Sequence, residues 1–305
     1  MSKLLTDNMP IIFSRKLMRL LPPDLANQVR MFLFRIHGGL HRIAFRNIPE
    51  PLGGWPTLLQ ISVLKSGTHL LDQILTGFFR VSPFSPRALY LKSYDHKTGI
   101  PYNADDIVYS LGVYRPLEVV KAHLSSDPVL TQYINASNFL TYFIYRDPRD
   151  IVVSLAYYGF VDAAPDARLT FNSLPMEQRI HHLIVGADYG QFHFTGINAF
   201  YRKFMGWLEC PFVLRLRYED LIHHRQEALH RIVDYFLKRI DTLPTSREQI
   251  IQALASNIDP GRSPTFRKGT TGDWKTHFSV QHKNLFKEHT DDLLTQLGYE
   301  KSNDW

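Results

Sequence analysis

The chain has 305 residues, 44% hydrophobic and 13% aromatic, which is enough for a sizeable core and too apolar for a disordered chain. Its single cysteine, Cys210, excludes an intrachain disulfide and fits a reducing compartment. The net charge of +6 sits in residues 1–49, where Lys3, Arg15, Lys16, Arg19, Arg30, Arg35, Arg42 and Arg46 face only Asp7 and Asp24; the balanced remainder argues against a groove that tracks nucleic acid.

No run of about 18 apolar residues is present, and the N-terminus lacks a signal-peptide apolar core followed by a small-residue cleavage site. A soluble, cytoplasmic protein is therefore expected. Residues 1–55 read as a basic amphipathic extension. Within it, residues 28–46 place Val29, Phe32, Leu33, Ile36, Leu40 and Ile43 on one helical face, with Arg35, Arg42 and Arg46 elsewhere on the wheel. Two readings fit that pattern. The favoured one is a helix docked on the main domain with a solvated basic face; the other is contact with a membrane surface.

The Pro/Gly-rich stretch 48–56 marks the start of a domain over residues 56–300. Residues 57–64 read as a strand and 68–79 as a helix with Leu71, Ile74, Leu75 and Phe78 on one side. Strands follow at 117–124, 139–146 and 212–221, and helices at 150–160 and 224–240. Strands alternating with helices imply an α/β fold, a parallel β-sheet flanked by helices. Residues 80–115 and 160–200 read as long, partly irregular excursions that would build a ligand site beyond the strand ends. Residues 257–280 read as mostly loop.

Three segments carry chemistry. In Lys65-Ser66-Gly67-Thr68 a loop enters a helix, where unpaired N–H groups and the helix dipole favour an anion. Leu64 precedes Lys65 where the common phosphate loop has glycine, so that version is not expected. Taken alone the tetrapeptide is as compatible with an ordinary turn and cap. In 145–154, Arg146 sits at a strand end, Asp147-Pro148 would cap and start the next helix, and Ser154 lies two turns in. In 266–275, Arg267, Lys268 and Gly269 form a basic, glycine-bracketed loop. The pairs His181-His182 and His223-His224 have no Cys, Asp or Glu set at metal-ligand spacing, so no metal is expected.

Together these segments resemble the cytosolic-type sulfotransferases, which use 3′-phosphoadenosine 5′-phosphosulfate (PAPS). "LKSGTHLL" resembles the family's 5′-phosphosulfate loop, "YRDPRDIVVS" its 3′-phosphate segment and "RKGTTGDWKTHFS" its C-terminal nucleotide loop. "VVKAHL" resembles the strand end bearing the catalytic histidine, which falls on His123. The resemblance implies a P-loop-like sheet and sulfuryl transfer to a hydroxyl or amine, with adenosine 3′,5′-bisphosphate (PAP) as the nucleotide product. It assigns Lys65 to the bridging oxygen, and Ser66, Gly67 and Thr68 to the 5′-phosphate. Arg146, Ser154, Arg267, Lys268 and Gly269 take the 3′-phosphate, Tyr218 lies near adenine, Lys121 supports sulfuryl charge, and His123 is the base. A neutral imidazole with an ordinary pKa of about 6.5 suits that last role.

The chain departs from the family pattern at three places. His69 and Leu70 stand where Thr-Trp is usual, so adenine loses an aromatic partner that His69 would have to replace. Ala122 stands for threonine before His123. The dimer segment is represented by Lys275, Ser279 and Val280, but Asn284 occupies the place of its closing acid, leaving the oligomeric state open. The acceptor is expected to be a small-molecule or lipid alcohol. The rival readings are a non-catalytic nucleotide-binding member of the fold and a membrane-surface module driven by the basic N-terminus.

Overall fold

A computed structural model describes residues 23–95, 97–160, 163–190, 192–263 and 266–305. Lys3, Asp7, Arg15, Lys16 and Arg19, and with them residues 1–22 of the basic extension, lie outside the described residues.

The centre is a five-stranded parallel sheet of β1 (Thr57–Ser62), β2 (Ser85–Lys92), β3 (Glu118–His123), β4 (Phe139–Tyr145) and β7 (Val213–Arg217), in the order β2-β3-β1-β4-β7. The short β5 (Ala187–Tyr189) and β6 (Phe192–Phe194) form a separate antiparallel pair. All six residues of β1 are buried, as a central parallel strand covered on both faces requires. Its alternate side chains feed two cores. Leu58 joins Leu71, Ile74, Phe78, Tyr142 and Phe236 on one face. Leu59 and Ile61 join Val120, Phe143, Ile151, Tyr201 and Phe204 on the other. The register pairs Ile61 with Ala122 and Ser62 with Ile144, so β1, β3 and β4 end side by side. In an open α/β sheet that carboxyl edge is where ligands bind.

Helices follow in chain order: α1 (Pro23–Ala44), α2 (Thr68–Thr76), α3 (Ala104–Gly112), α4 (Pro128–Ala136), α5 (Pro148–Tyr158), α6 (Pro165–Ser173), α7 (Met176–Val185), α8 (Ile197–Met205), α9 (Tyr218–His223), α10 (Arg225–Leu237), α11 (Arg247–Ser256), α12 (Trp274–His277) and α13 (Val280–Thr290). Asp147 caps α5 by accepting from the Arg149 N–H, with Pro148 in the first turn, as the sequence leads one to expect.

Three expectations need correction. Residues 80–115 hold β2 and α3, and 160–200 hold α6, α7, the β5–β6 hairpin and the start of α8. β2 hides in the sequence because Pro86 interrupts it; the register slips between Pro86 and Tyr90, which an edge strand tolerates. The strand expected over 212–221 ends at Arg217, and Tyr218 opens α9. The third correction concerns α1. It packs on β2 through the side opposite the one expected: His41 is buried, its Nε2–H donating to the Ser82 carbonyl at 3.1 Å. Gly38 lies so close that a Cβ there would stand 3.0 Å from Ser85 Oγ. Phe32, Ile36, Leu40 and Ile43 face outward instead. No helix among the described residues is long and apolar enough to cross a membrane.

Candidate active site

The loop between β1 and α2 turns through two residues in the left-handed region, Lys65 (φ 66°) and Gly67 (φ 100°). For lysine that conformation costs about 1–2 kcal/mol, an outlier of the kind that marks ligand sites. Gly67 is required by more than its dihedral. A Cβ there would sit 2.5 Å from the Tyr218 ring. Gly67 is also the N-cap of α2, and no side chain caps it. The first N–H groups of α2 therefore lack intrahelical and capping partners. Lys65, Gly67, Thr68, His69 and Leu70 all line a cleft of about 390 Å³ at the carboxyl edge of the sheet. Lys65 Nζ stands 4.0 Å from the Tyr158 ring centroid.

His123, at the end of β3, is 2% exposed. Its Nδ1 lies 2.6 Å from the Ser62 carbonyl oxygen. A carbonyl only accepts, so Nδ1 carries the proton and Nε2 is left as the acceptor. The Tyr90 hydroxyl donates to that Nε2. Although the Tyr90 ring is 40% exposed, its hydroxyl end is enclosed in the cleft, and desolvation pushes it well above the usual phenol range, with Tyr94 adding to the effect. It remains a neutral donor. His69, on the first turn of α2, is lowered by burial and, less strongly, by Lys121, so it is neutral at pH 7.

Arg146 follows β4 directly and is 8% exposed. Its guanidinium donates to the Thr270 carbonyl at 2.9 Å and to Asp150 Oδ2 at 3.3 Å, and lies 4.5 Å from the Tyr218 ring centroid. The Tyr218 ring is thus held between Gly67 and Arg146. The Arg146 Nε is buried with no hydrogen-bond partner among the described residues. A buried donor without an acceptor is costly. Asp150 pins the C-terminal loop: its carboxylate accepts from the Gly272 N–H at 2.8 Å and the Trp274 N–H at 3.0 Å. That loop carries Arg267, Lys268 and Gly269 to the cleft, where Ser154 of α5 also lies.

Of the thirteen residues singled out in the sequence, eleven line this one cleft; Ser66 and Lys121 do not. Ser66 is fully buried, donating through Oγ to the carbonyls of Val63 (2.6 Å) and Ile144 (3.0 Å) and through its N–H to Val63, so it fastens the loop to β4. Lys121 pairs with Asp72 Oδ2 at 2.8 Å. Arg267 and Lys268 reach the cleft but are paired with Asp273, Lys268 at 3.0 Å. Burial alone would raise the Asp273 carboxyl; those two cations outweigh it and hold the group below the usual aspartate range.

Sequence reasoning missed Gln73, Tyr90, Lys92, Tyr158, Ile222, Arg225, Ile258, Pro260, Ser263, Phe266 and Thr270, which complete the lining. Phe266 and Thr270 lie within the 266–275 segment itself, and Phe266, one residue before Arg267, had a signal in being an apolar residue opening a basic loop. A second cavity of about 90 Å³ shares Leu64, Lys92 and Tyr158 with the first. Its walls are aromatic: Tyr94, Phe160, Phe192, Phe194, Phe200 and Phe204. All but Phe204 come from the two excursions that the sequence marked as site-building.

The model of the sulfotransferase domain family matches residues 56–298. Sulfotransferase 1A1 of Rattus norvegicus is 25% identical over 276 residues, covering 80% of this chain and 87% of that protein. Sulfotransferase 1C2 of Homo sapiens is 25% identical over 197 residues, 56% of this chain and 59% of that protein. Among solved structures, mouse sulfotransferase SULT7A1 complexed with PAP superimposes with a TM-score of 0.52 at 15% identity, covering 80% of this chain and 89% of that one. At that identity the likeness is one of fold.

Proposed function

From the premise that this chain belongs to the sulfotransferase family, we propose that its cleft moves a sulfuryl group from PAPS to an acceptor hydroxyl, with His123 as general base. The observation that carries this reading is the meeting, in one cleft, of the uncapped α2 N-terminus and a His123 whose tautomer leaves Nε2 as acceptor.

The residues present fit the nucleotide. The N–H groups at the start of α2, with Lys65, suit the 5′-phosphosulfate. Arg146, Ser154 and the loop 267–269 line the cleft together and suit the 3′-phosphate, which would compete with Asp273 for Arg267 and Lys268. Tyr218, Leu70, Ile222, Ile258 and Phe266 give the adenine an apolar end to the cleft. Ser66 acts by fastening the loop. Lys121 is held by Asp72 at 2.8 Å.

The donor supplies an activated sulfuryl group and leaves as PAP. His123 Nε2 takes the acceptor's hydroxyl proton as that oxygen bonds to sulfur and the phosphate oxygen departs. The acceptor hydroxyl must reach the position now held by the Tyr90 hydroxyl. Lys65 places positive charge where the departing oxygen gains negative charge, which stabilises the transition state more than the ground state. The aromatic side cavity favours an apolar or aromatic small-molecule alcohol over a sugar. Incubation with donor labelled in sulfur and a panel of phenols, sterols, lipid alcohols and sugars tests the proposal. Label should pass to an apolar alcohol with wild-type protein and about 10²–10⁴-fold more slowly with His123→Ala. Equal transfer by the two proteins would remove His123 from the role; no transfer to any acceptor would remove the activity.

A further inference from the structure

We infer that α1 is a surface anchor that lays its outward face into a bilayer bearing anionic lipid. Leu25, Phe32, Ile36, Leu40 and Ile43 are 44%, 62%, 45%, 52% and 62% exposed. At about 100° per residue they fall within an arc of roughly 80° on the helix. That arc is opposite the docked side, where Gly38 and His41 meet Ser85 and Ser82. The helix of a soluble domain normally turns its apolar stripe to the core and its polar face to water. Among the described residues the docked side carries Gly38 and His41, and the exposed apolar stripe faces out.

Charge selects the occupant. From the start of α1 at residue 23 to residue 49 the sequence has four arginines and one acid, Asp24. Arg35 and Arg42 are exposed along one flank of the stripe, and Arg46 is exposed just beyond the helix. An apolar stripe flanked by a clear excess of cations matches the interface of an anionic membrane, apolar side down and guanidinium groups among the phosphates. A second copy of the chain fits less well, because a two-fold contact between such stripes would bring arginines against arginines with too few acids to pair them. The inference stands apart from the chemistry proposed for the cleft.

Flotation of the full chain with vesicles tests it. Binding is expected with phosphatidylcholine vesicles containing about 30% phosphatidylserine, at least tenfold weaker with phosphatidylcholine alone, and largely lost at about 1 M salt. Phe32→Glu/Ile43→Glu should abolish it. Arg35→Gln/Arg42→Gln should weaken it by about 25-fold, roughly fivefold for each basic residue near the surface. The substituted side chains are exposed, so folding should be kept. As a measure that needs no variant, hydrogen exchange of the wild-type protein should slow over residues 25–46 on phosphatidylserine vesicles. Equal binding to the two vesicle types, full binding by Phe32→Glu/Ile43→Glu, or a concentration-dependent dimer that this double substitution abolishes would each overturn the inference.

Discussion

At the scale of single residues, the site depends on side chains locked by their neighbours. Gly67 meets two demands at once, a φ of 100° and the Tyr218 ring. Gly67→Ala should therefore cost both backbone strain, about 1–2 kcal/mol, and displacement of Tyr218. The two costs can be separated. Adding Tyr218→Ala relieves the clash and leaves the strain, so the double variant should be destabilised by less than the sum of the singles. Strict additivity in denaturant melts would contradict the packing argument. His123 is locked in another way, by Nδ1–H to the Ser62 carbonyl. His123→Ala should keep nucleotide affinity within about twofold while turnover falls in the general-base range of roughly 10²–10⁴. A loss of affinity in parallel with turnover would place the imidazole on the donor instead.

At the scale of elements, two attachments decide how the cleft and the extension hold together. Asp150 holds the 266–274 loop by two backbone N–H groups and faces Arg146. Removing one partner of such a buried pair costs about 3–5 kcal/mol. Asp150→Ala should lower the melting temperature by roughly 6–10 °C, at about 2 °C per kcal/mol for a chain this large, and open the loop to proteolysis near Arg267. An unchanged melting temperature would show that the loop is held otherwise. The α1 attachment is pH-sensitive. Burial lowers the His41 pKa, outweighing the bond to Ser82, while His37 and Arg42 lower it further. A folded-state value below the unfolded one, about 6.5, means the unfolded chain binds more protons. Stability is therefore complete above about pH 6.5 and falls as pH drops below it. His69 and His182 act in the same direction. His41→Phe, whose ring can still pack on Phe45 and Phe79, should flatten part of the slope of melting temperature between pH 7 and 5.5. An identical slope in the variant would contradict the assignment. The elements also show what patterning can reveal. β1, β3, β4 and α2 announce themselves because central parallel strands are continuous apolar runs and α2 has a clean stripe. β2 and the 160–200 helices do not, since an edge strand broken by Pro86 and helices of only nine or ten residues follow packing more than period.

For the whole molecule, the sheet order brings three segments distant in sequence, 62–70, 146–154 and 266–270, to one carboxyl edge with His123. Their chemistry was legible because each is a local loop-to-helix or loop signature. Partners that come from elsewhere were not: Tyr90 over His123 and Asp72 on Lys121 depend on tertiary placement that no spacing encodes. The outward face of α1 was misjudged for the same reason, because periodicity finds a stripe without saying which side meets the domain. The central claim is that this edge is built for a nucleotide carrying a 3′-phosphate. Isothermal titration of wild-type protein with PAP and with AMP tests it most directly, repeated on Arg146→Leu. The account predicts tight binding of PAP and at least 100-fold weaker binding of AMP, since a charge-assisted contact contributes about 1.5–3 kcal/mol and several converge on the 3′-phosphate. In Arg146→Leu most of that gap should vanish. Equal affinity for the two nucleotides in the wild-type protein would contradict the account.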